Sequence, residues 1–284
     1  MSKLTITNTE KFSVERKIIS YMTTKSWQTI PHVSYMYEPD VTDFIDEFKR
    51  LRKEYKSLKN ISINSLMLKV FSEGLKLAPK LNSHILYDSE TGEGEIRTIK
   101  DINVNMPWIL PSGKMMTISI NNIEQMSLYE INKHIKDIGV KISNMDSQSL
   151  SKSFSNKINY NHIDSIISGK REISKDNNCE NKSEIPLKIG TITISNIGST
   201  YKEQRGAITL LDIIPPQVCV IGFGAILEKP GVYIDEDGKK NIGIRKVLPI
   251  CLAFDHRALD FGEIIPFMKE LDHIFENPDV IKSF

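Results

Sequence analysis

The order of the periodic segments constrains the fold most: amphipathic helical stretches come in pairs, and β-rich stretches come in runs. Strict βαβ alternation would build a doubly wound parallel sheet, whereas this order builds an α+β layered domain. In segment 41–59, Phe44, Phe48, Leu51, Tyr55 and Leu58 recur every three or four residues, so they share one helix face. A second helix is predicted over 63–78 on Leu66, Val70 and Leu77, with Pro79 near its end. Ser127-Leu128-Tyr129-Glu130 is a capping box and starts a third helix that runs to about Ile138. Two more are expected, over 13–27 and from Phe261 to before Pro278, the latter with Ile264, Ile265, Met268, Leu271 and Phe275 facing inward.

Strands are expected elsewhere. Val33, Tyr35 and Tyr37 alternate with Ser34, Met36 and Glu38, the period of a half-buried strand. Stretches 95–105, 115–120, 188–196, 218–227 and 243–254 are rich in Ile, Val and Thr. Thr91-Gly92-Glu93-Gly94 and Asp235-Glu236-Asp237-Gly238 read as hairpin turns. From about 144 to 183 the chain is rich in Ser, Asn and Lys, which marks a long surface insertion. The strands after it need partners from before it, so residues 1–284 are expected to form a single domain.

Composition excludes several classes of function. Lys and Arg number 37 against 36 Asp and Glu, a net charge of +1 that gives no footprint for nucleic acid or an anionic membrane. The longest near-apolar run, Val218 to Leu227, is shorter than the roughly 20 residues a membrane span needs. The first residues, Met1 to Thr5, carry no signal-peptide apolar stretch. Cys179, Cys219 and Cys251 have no CxxC spacing, which argues against a disulfide framework or zinc cluster and fits a reducing, cytoplasmic setting.

Two residues stand out for chemistry. His256 follows a nearly continuous apolar strand, Val247 to Phe254, and precedes a turn into a helix, a place where a rigid scaffold presents a base. Asp260 lies four residues on, and with Glu263 it also makes a helix N-cap box. On pattern alone, both catalytic and structural roles stay open for this pair. Ser195 sits where the strand Gly190 to Asn196 enters a glycine-containing turn, and it too reads as either a functional or a turn-capping serine. No GxSxG elbow surrounds it, so a hydrolase nucleophile is disfavoured. His134 and His273 read as surface helix residues, and His32 as structural.

Taken together, several strings resemble the catalytic domain of the dihydrolipoyl acyltransferases of 2-oxoacid dehydrogenase complexes, which shares its fold and motif with chloramphenicol acetyltransferase. The family motif, an aromatic residue, Asp-His-Arg and an Asp four residues after the His, appears as Phe254-Asp255-His256-Arg257-Ala258-Leu259-Asp260. Thr193-Ile194-Ser195-Asn196-Ile197-Gly198 resembles the family's serine strand. Glu15 to Ile19 and Ser26 to Val33 resemble its opening helix and first strand, and Pro111-Ser112-Gly113 its central hairpin.

The resemblance implies a two-layer α/β sandwich of the chloramphenicol acetyltransferase type. It implies an acyltransferase that moves an acyl group between coenzyme A and a thiol of dihydrolipoyl type or a hydroxyl. His256 would be the general base and Ser195 the donor that steadies the oxyanion. Asp260 would hold the local structure through an ion pair with an arginine of the opening helix, here Arg16. No metal or redox cofactor is implied, and a lipoyl group enters only on another protein. The family assembles as trimers, with histidine and serine contributed by neighbouring subunits, so a homotrimer or larger assembly is expected. A non-catalytic structural subunit of such an assembly is the alternative. The chain departs from the family in three ways. Phe261 stands where the family has glycine, with an expected cost of a kcal/mol or more if the turn needs glycine dihedrals. Only about a dozen residues precede the opening helix, so no lipoyl or subunit-binding domain is expected. The insertion before the serine strand is the third departure.

Overall fold

The computed structural model describes residues 4–110, 113, 115–143, 190–235 and 237–284. The polar insertion 144–183, Cys179, and Pro111-Ser112 of the expected hairpin lie outside these residues. The chain runs α1 (Val14–Thr29), β1 (His32–Tyr37), α2 (Thr42–Glu54), α3 (Ile63–Leu77), β2 (Ser83–Tyr87), β3 (Gly94–Thr98), β4 (Val104–Ile109), β5 (Met115–Ile120) and α4 (Leu128–Ser143). It continues with β6 (Ile192–Asn196), β7 (Cys219–Phe223), β8 (Leu227–Ile234), β9 (Lys240–Val247), β10 (Ile250–Asp255) and α5 (Phe261–Glu276).

Six strands form one mixed sheet in the order β1-β10-β7-β6-β4-β5. Only the β7–β6 and β6–β4 pairs are parallel. Alternation sends Val33, Tyr35, Ile192, Ile194, Ile221, Phe223, Leu252 and Phe254 to one face, where α2, α3, α4 and α5 cover them. Helix α3 is buried nearly all round through Leu66, Met67, Leu68, Val70, Phe71 and Leu75. Phe71 links the layers, with ring contacts to Phe223 of the sheet and Phe267 of α5. This is the expected two-layer α+β sandwich.

The opposite face is lined by small side chains in register, with Ser34 beside Ala253, Ala253 beside Val220 and Val220 beside Thr193. A strap of irregular chain, residues 208–214, crosses it, and Ile30, Ile213, Val220 and Ala253 form a small second core with Leu210 and Leu211 packed against it. The strap is pinned to the end of α1 and the start of β1. Ser26 Oγ donates to the Ile213 carbonyl (2.6 Å), the Ile213 N–H donates to His32 Nε2 (3.1 Å), and Trp27 Nε1 donates to Asp212 (2.5 Å). The His32 ring is thereby satisfied and structural, as expected.

Several boundaries differ from the sequence reading. Segment 41–59 is helical only to Glu54; the rest is a turn closed by the Arg52 guanidinium donating to the Lys59 carbonyl. The stretch 95–105 divides into β3 and β4, and 218–227 divides into β7 and the start of β8. The apolar run through Val247 to Phe254 is two strands, because Pro249 lacks an N–H for the ladder and the chain turns between sheets there. The third helix does start at the Ser127–Glu130 box, and it runs beyond Ile138 to Ser143 because Ile142 still reaches the core. Both expected hairpin turns are present, with Gly92 and Gly238 at positive φ. His134 is not a surface residue: it is half-buried, and its buried Nε2 has no partner among the described residues.

One further histidine carries a pH prediction. His84 is buried in β2, with Nε2 against the Gly190 carbonyl at 3.3 Å. Burial holds its pKa below the ordinary value, and the Arg97 charge adds to that. The unfolded chain therefore takes up a proton near pH 6.5 that the folded chain refuses, so stability falls as pH drops through that value. Urea unfolding at pH 7.5 and 5.5 is expected to show this loss, with a slope of at most about 1.4 kcal/mol per pH unit from this group. His84→Gln is expected to flatten it.

Candidate active site

Strand β10 is buried along its whole length and delivers its last residue, Asp255, to the rim of the sheet. There the chain makes a tight turn, with the Ala258 and Leu259 N–H groups donating to the Asp255 carbonyl. Leu259 is buried and anchors the turn to the core. The His256 N–H donates to the Pro31 carbonyl, which ties the turn to the start of β1. Asp260 then caps α5, and the Glu263 carboxylate accepts the Asp260 N–H (2.9 Å), as the capping box requires.

The His256 side chain is 51% exposed, so the ring is open to solvent. Its Nδ1 lies 3.0 Å from the Leu259 carbonyl and 3.4 Å from Asp260 Oδ1. A carbonyl oxygen only accepts, so the neutral ring carries its proton on Nδ1 and its lone pair on Nε2. Among the described residues Nε2 has no partner. The turn thus presents a fixed tautomer with its basic nitrogen outward. Phe254 meets the ring edge-on at 6.0 Å.

Asp260 reaches His256 and the helix start, but not Arg16. Arg16 is exposed on α1, and no ion pair joins it to Asp260 within the described chain. The arginine that organises this turn is Arg257. It pairs with the fully buried Asp255, donating from Nη2 at 2.6 Å and from Nε at 3.0 Å, and its guanidinium lies over the Tyr87 ring at 5.2 Å. Neither Asp255 nor Arg257 stands out for a role from sequence pattern alone. The available signal was an aspartate closing an otherwise apolar strand, with an arginine two residues later.

Phe261 causes no strain. It is the first residue of α5, and Asn122 is the one non-glycine residue with positive φ among those described. Its ring packs edge-on against Tyr35 at 5.3 Å. Gly262 takes no positive φ either, and a Cβ there would meet open space. The expected cost therefore does not arise, because the turn closes with ordinary dihedrals.

Ser195 lies at the opposite end of the sheet from His256. Its register partner is Gly222, whose partner in turn is Cys251, five residues before His256. At about 3.3 Å per residue and 4.8 Å per strand, His256 and Ser195 of one chain lie roughly 15–20 Å apart. Ser195 is half-buried, and its hydroxyl has no partner among the described residues. Its neighbour Asn196 is fixed, donating to Asn64 at 3.1 Å and accepting the Ser199 N–H at 3.0 Å. Cys219 and Cys251 are free and buried; burial pushes the Cys251 thiol up to about 11 and raises Cys219 further, so neither is an activated nucleophile. Among the described residues no group of three or more His, Cys, Asp or Glu side chains has the arrangement of a metal site.

The family model for the 2-oxoacid dehydrogenases acyltransferase catalytic domain matches residues 5–153 and 155–282. The chain belongs to this family. Within the family it is 27% identical over 267 residues to the dihydrolipoyllysine-residue acetyltransferase component of the mitochondrial pyruvate dehydrogenase complex of Schizosaccharomyces pombe, covering 93% of this chain and 44% of that one. It is 26% identical over 275 residues to the corresponding component from Staphylococcus epidermidis, covering 96% and 52%. The chain thus spans about half the length of these relatives. Its fold is that of a probable dihydrolipoamide acetyltransferase from Listeria monocytogenes (TM-score 0.68, 20% identity, 95% of each chain). The Azotobacter vinelandii dihydrolipoamide acetyltransferase is similar (TM-score 0.66, 19% identity, 96% of this chain and 93% of that one).

Proposed function

We propose that the protein is a coenzyme A-dependent acyltransferase acting on a dihydrolipoyl thiol, and that it works as a trimer with each site shared between two subunits. The observation that carries this reading is the His256 ring, with Nδ1 held on the Leu259 carbonyl and Nε2 free and exposed. A thiol of pKa near 8.5 is mostly protonated at neutral pH, and neutral imidazole of the correct tautomer is the group suited to accept that proton.

In the proposed reaction Nε2 takes the proton from the thiol of coenzyme A. The thiolate attacks the carbonyl carbon of the acyl-dihydrolipoyl thioester, and the new C–S bond places the negative charge on oxygen. The Ser195 hydroxyl of the neighbouring subunit donates to that oxygen. Collapse breaks the old C–S bond, and the departing lipoyl sulfur takes the proton back from Nε2. The reverse direction uses the same groups. Asp260 steadies the imidazolium during the exchange, since its carboxylate faces Nδ1.

Two observations support the shared site, and a third bears on the histidine motif. His256 and Ser195 are too far apart in one chain to reach one carbonyl. Strands β8 and β9 form a separate ribbon on which Val232, Ile234, Ile242 and Ile244 lie on one face, each between 66% and 79% exposed, a surface of the kind that subunits bury. The Azotobacter enzyme has been studied for the catalytic roles of a serine, a histidine and an asparagine four residues after that histidine. Here Asp260 holds the same spacing from His256.

The test is acetyl transfer from acetyl-coenzyme A to dihydrolipoamide, run beside a panel of hydroxyl acceptors, with light scattering on the same sample. The expected result is a trimer or multiple of trimers that acylates dihydrolipoamide in preference to alcohols. An assembled, folded protein with no transfer to any acceptor would favour a structural subunit, and a monomer would remove the shared site.

A further inference from the structure

Resting on the acyltransferase reading above, we infer that Leu211, on the strap over the open face of the sheet, sets the upper size of the acyl group accepted beside Ser195. Ser195 and Gly222 are direct register partners on adjacent parallel strands, so their side-chain positions lie on the same face about 4.8 Å apart. A Cβ built on Gly222 would stand 2.4 Å from Leu211 Cδ1 and 3.3 Å from Ile197 Cδ1. Gly222 is therefore needed to let the strap close down, and the atoms that fill the space next to the serine are methyl carbons. Both Leu211 and Ile197 are half-buried, so this apolar corner is open on one side.

The size limit follows from the length of the reacting group. The carbonyl oxygen lies within hydrogen-bond reach of the Ser195 hydroxyl, which places the first alkyl carbon of the acyl chain a further two bonds away. A Leu211 methyl that would meet a Cβ on Gly222, the register partner of Ser195, stands beside the position of that carbon and of any branch on it. An acetyl group fits such a corner, while a branched acyl group meets the leucine. The methyl-lined surface also disfavours an acyl chain ending in a carboxylate, whose charge would lose its water there. The strap is held by Ser26, Trp27 and His32, all outside the corner, so shortening Leu211 opens the space without releasing the strap.

The experiment compares kcat/KM for acetyl-, isobutyryl- and succinyl-coenzyme A in the full-length parent and in Leu211→Ala. The parent is expected to prefer acetyl, and the variant is expected to raise the isobutyryl-to-acetyl ratio about tenfold or more, the scale that one or two methylenes command in an apolar pocket. Leu211→Val, which keeps the apolar contact of the strap, is expected to shift the ratio the same way by a smaller factor. Thermal unfolding gives a readout apart from turnover: Gly222→Ala lowers Tm, and adding Leu211→Ala recovers part of the loss. An active parent whose folded Leu211 variants keep the original ratio overturns the inference and leaves the acyltransferase reading standing. A parent that transfers no acyl group overturns both.

Discussion

Replacement of His256 by alanine is expected to lower acetyl transfer to dihydrolipoamide by about 10²–10⁴-fold, with the trimer and its unfolding midpoint nearly unchanged. In the proposed mechanism, the size of the effect reflects the loss of the group that moves the thiol proton in both directions. The small structural effect follows from the position of the ring. It is half exposed, its Nδ1 contact is to the main-chain carbonyl of Leu259, and the turn is held independently by the Leu259 side chain, the Asp255–Arg257 pair and the His256 main chain. The loss in kcat/KM is expected to be largest near neutral pH and to narrow above about pH 8.5, where the thiol ionises without a base. A variant that retains the parent rate while folded and assembled would end the assignment of His256 as base.

Replacement of Ser195 by alanine is expected to cost about 10²–10³ in kcat, the effect of removing one oxyanion donor. The separation of His256 and Ser195 makes a stronger test available. If each site takes its imidazole from one subunit and its hydroxyl from the next, His256→Ala and Ser195→Ala lie in complementary halves. Co-expressed at equal levels, the two inactive chains form mixed rings in which random assembly pairs an intact histidine with an intact serine at about one seam in four. Roughly a quarter of parental activity is expected to return. A site contained within one chain would give no recovery, because every chain in the mixture lacks one of the two groups. Recovery therefore reports subunit sharing and not just the importance of each residue.

Much of the framework was readable in the chain itself. The 3.6-residue recurrence of Phe44, Phe48 and Leu51, and Ile264, Met268, Leu271 and Phe275 of the last helix, point into the core as the periodicity requires, whereas Ile265, expected inward, is turned about 100° from Ile264 and is exposed. Alternation in β1 was equally clear, because one face packs and the other does not. What the pattern concealed was a set of interruptions and long-range ties. Pro249 splits an apolar run into two strands of different sheets, and apolarity alone does not reveal that. Strand β2 carries His84, Ser83 and Ile85 at buried positions without a polar face, so it shows no period of two. At the site, the spacing of His256, Asp260 and Glu263 was legible because it is local. The expected Arg16–Asp260 pair depended on a contact across the fold, and the chain instead uses Arg257 on Asp255. The strap over Gly222 was invisible for the same reason, since its anchors Ser26, Trp27 and His32 are about 180 residues away in sequence.

The ordinary dihedrals at Phe261 have a consequence for how such chains are recognised. The residue after the motif aspartate carries no conformational duty here: it opens a helix, and its ring rests on Tyr35. The residue at that place is therefore free to vary while the imidazole five residues earlier keeps its pose. A search pattern that insists on glycine there would pass over chains whose histidine turn keeps this geometry, whereas one built on the buried aspartate, the histidine and the adjoining arginine would retain them.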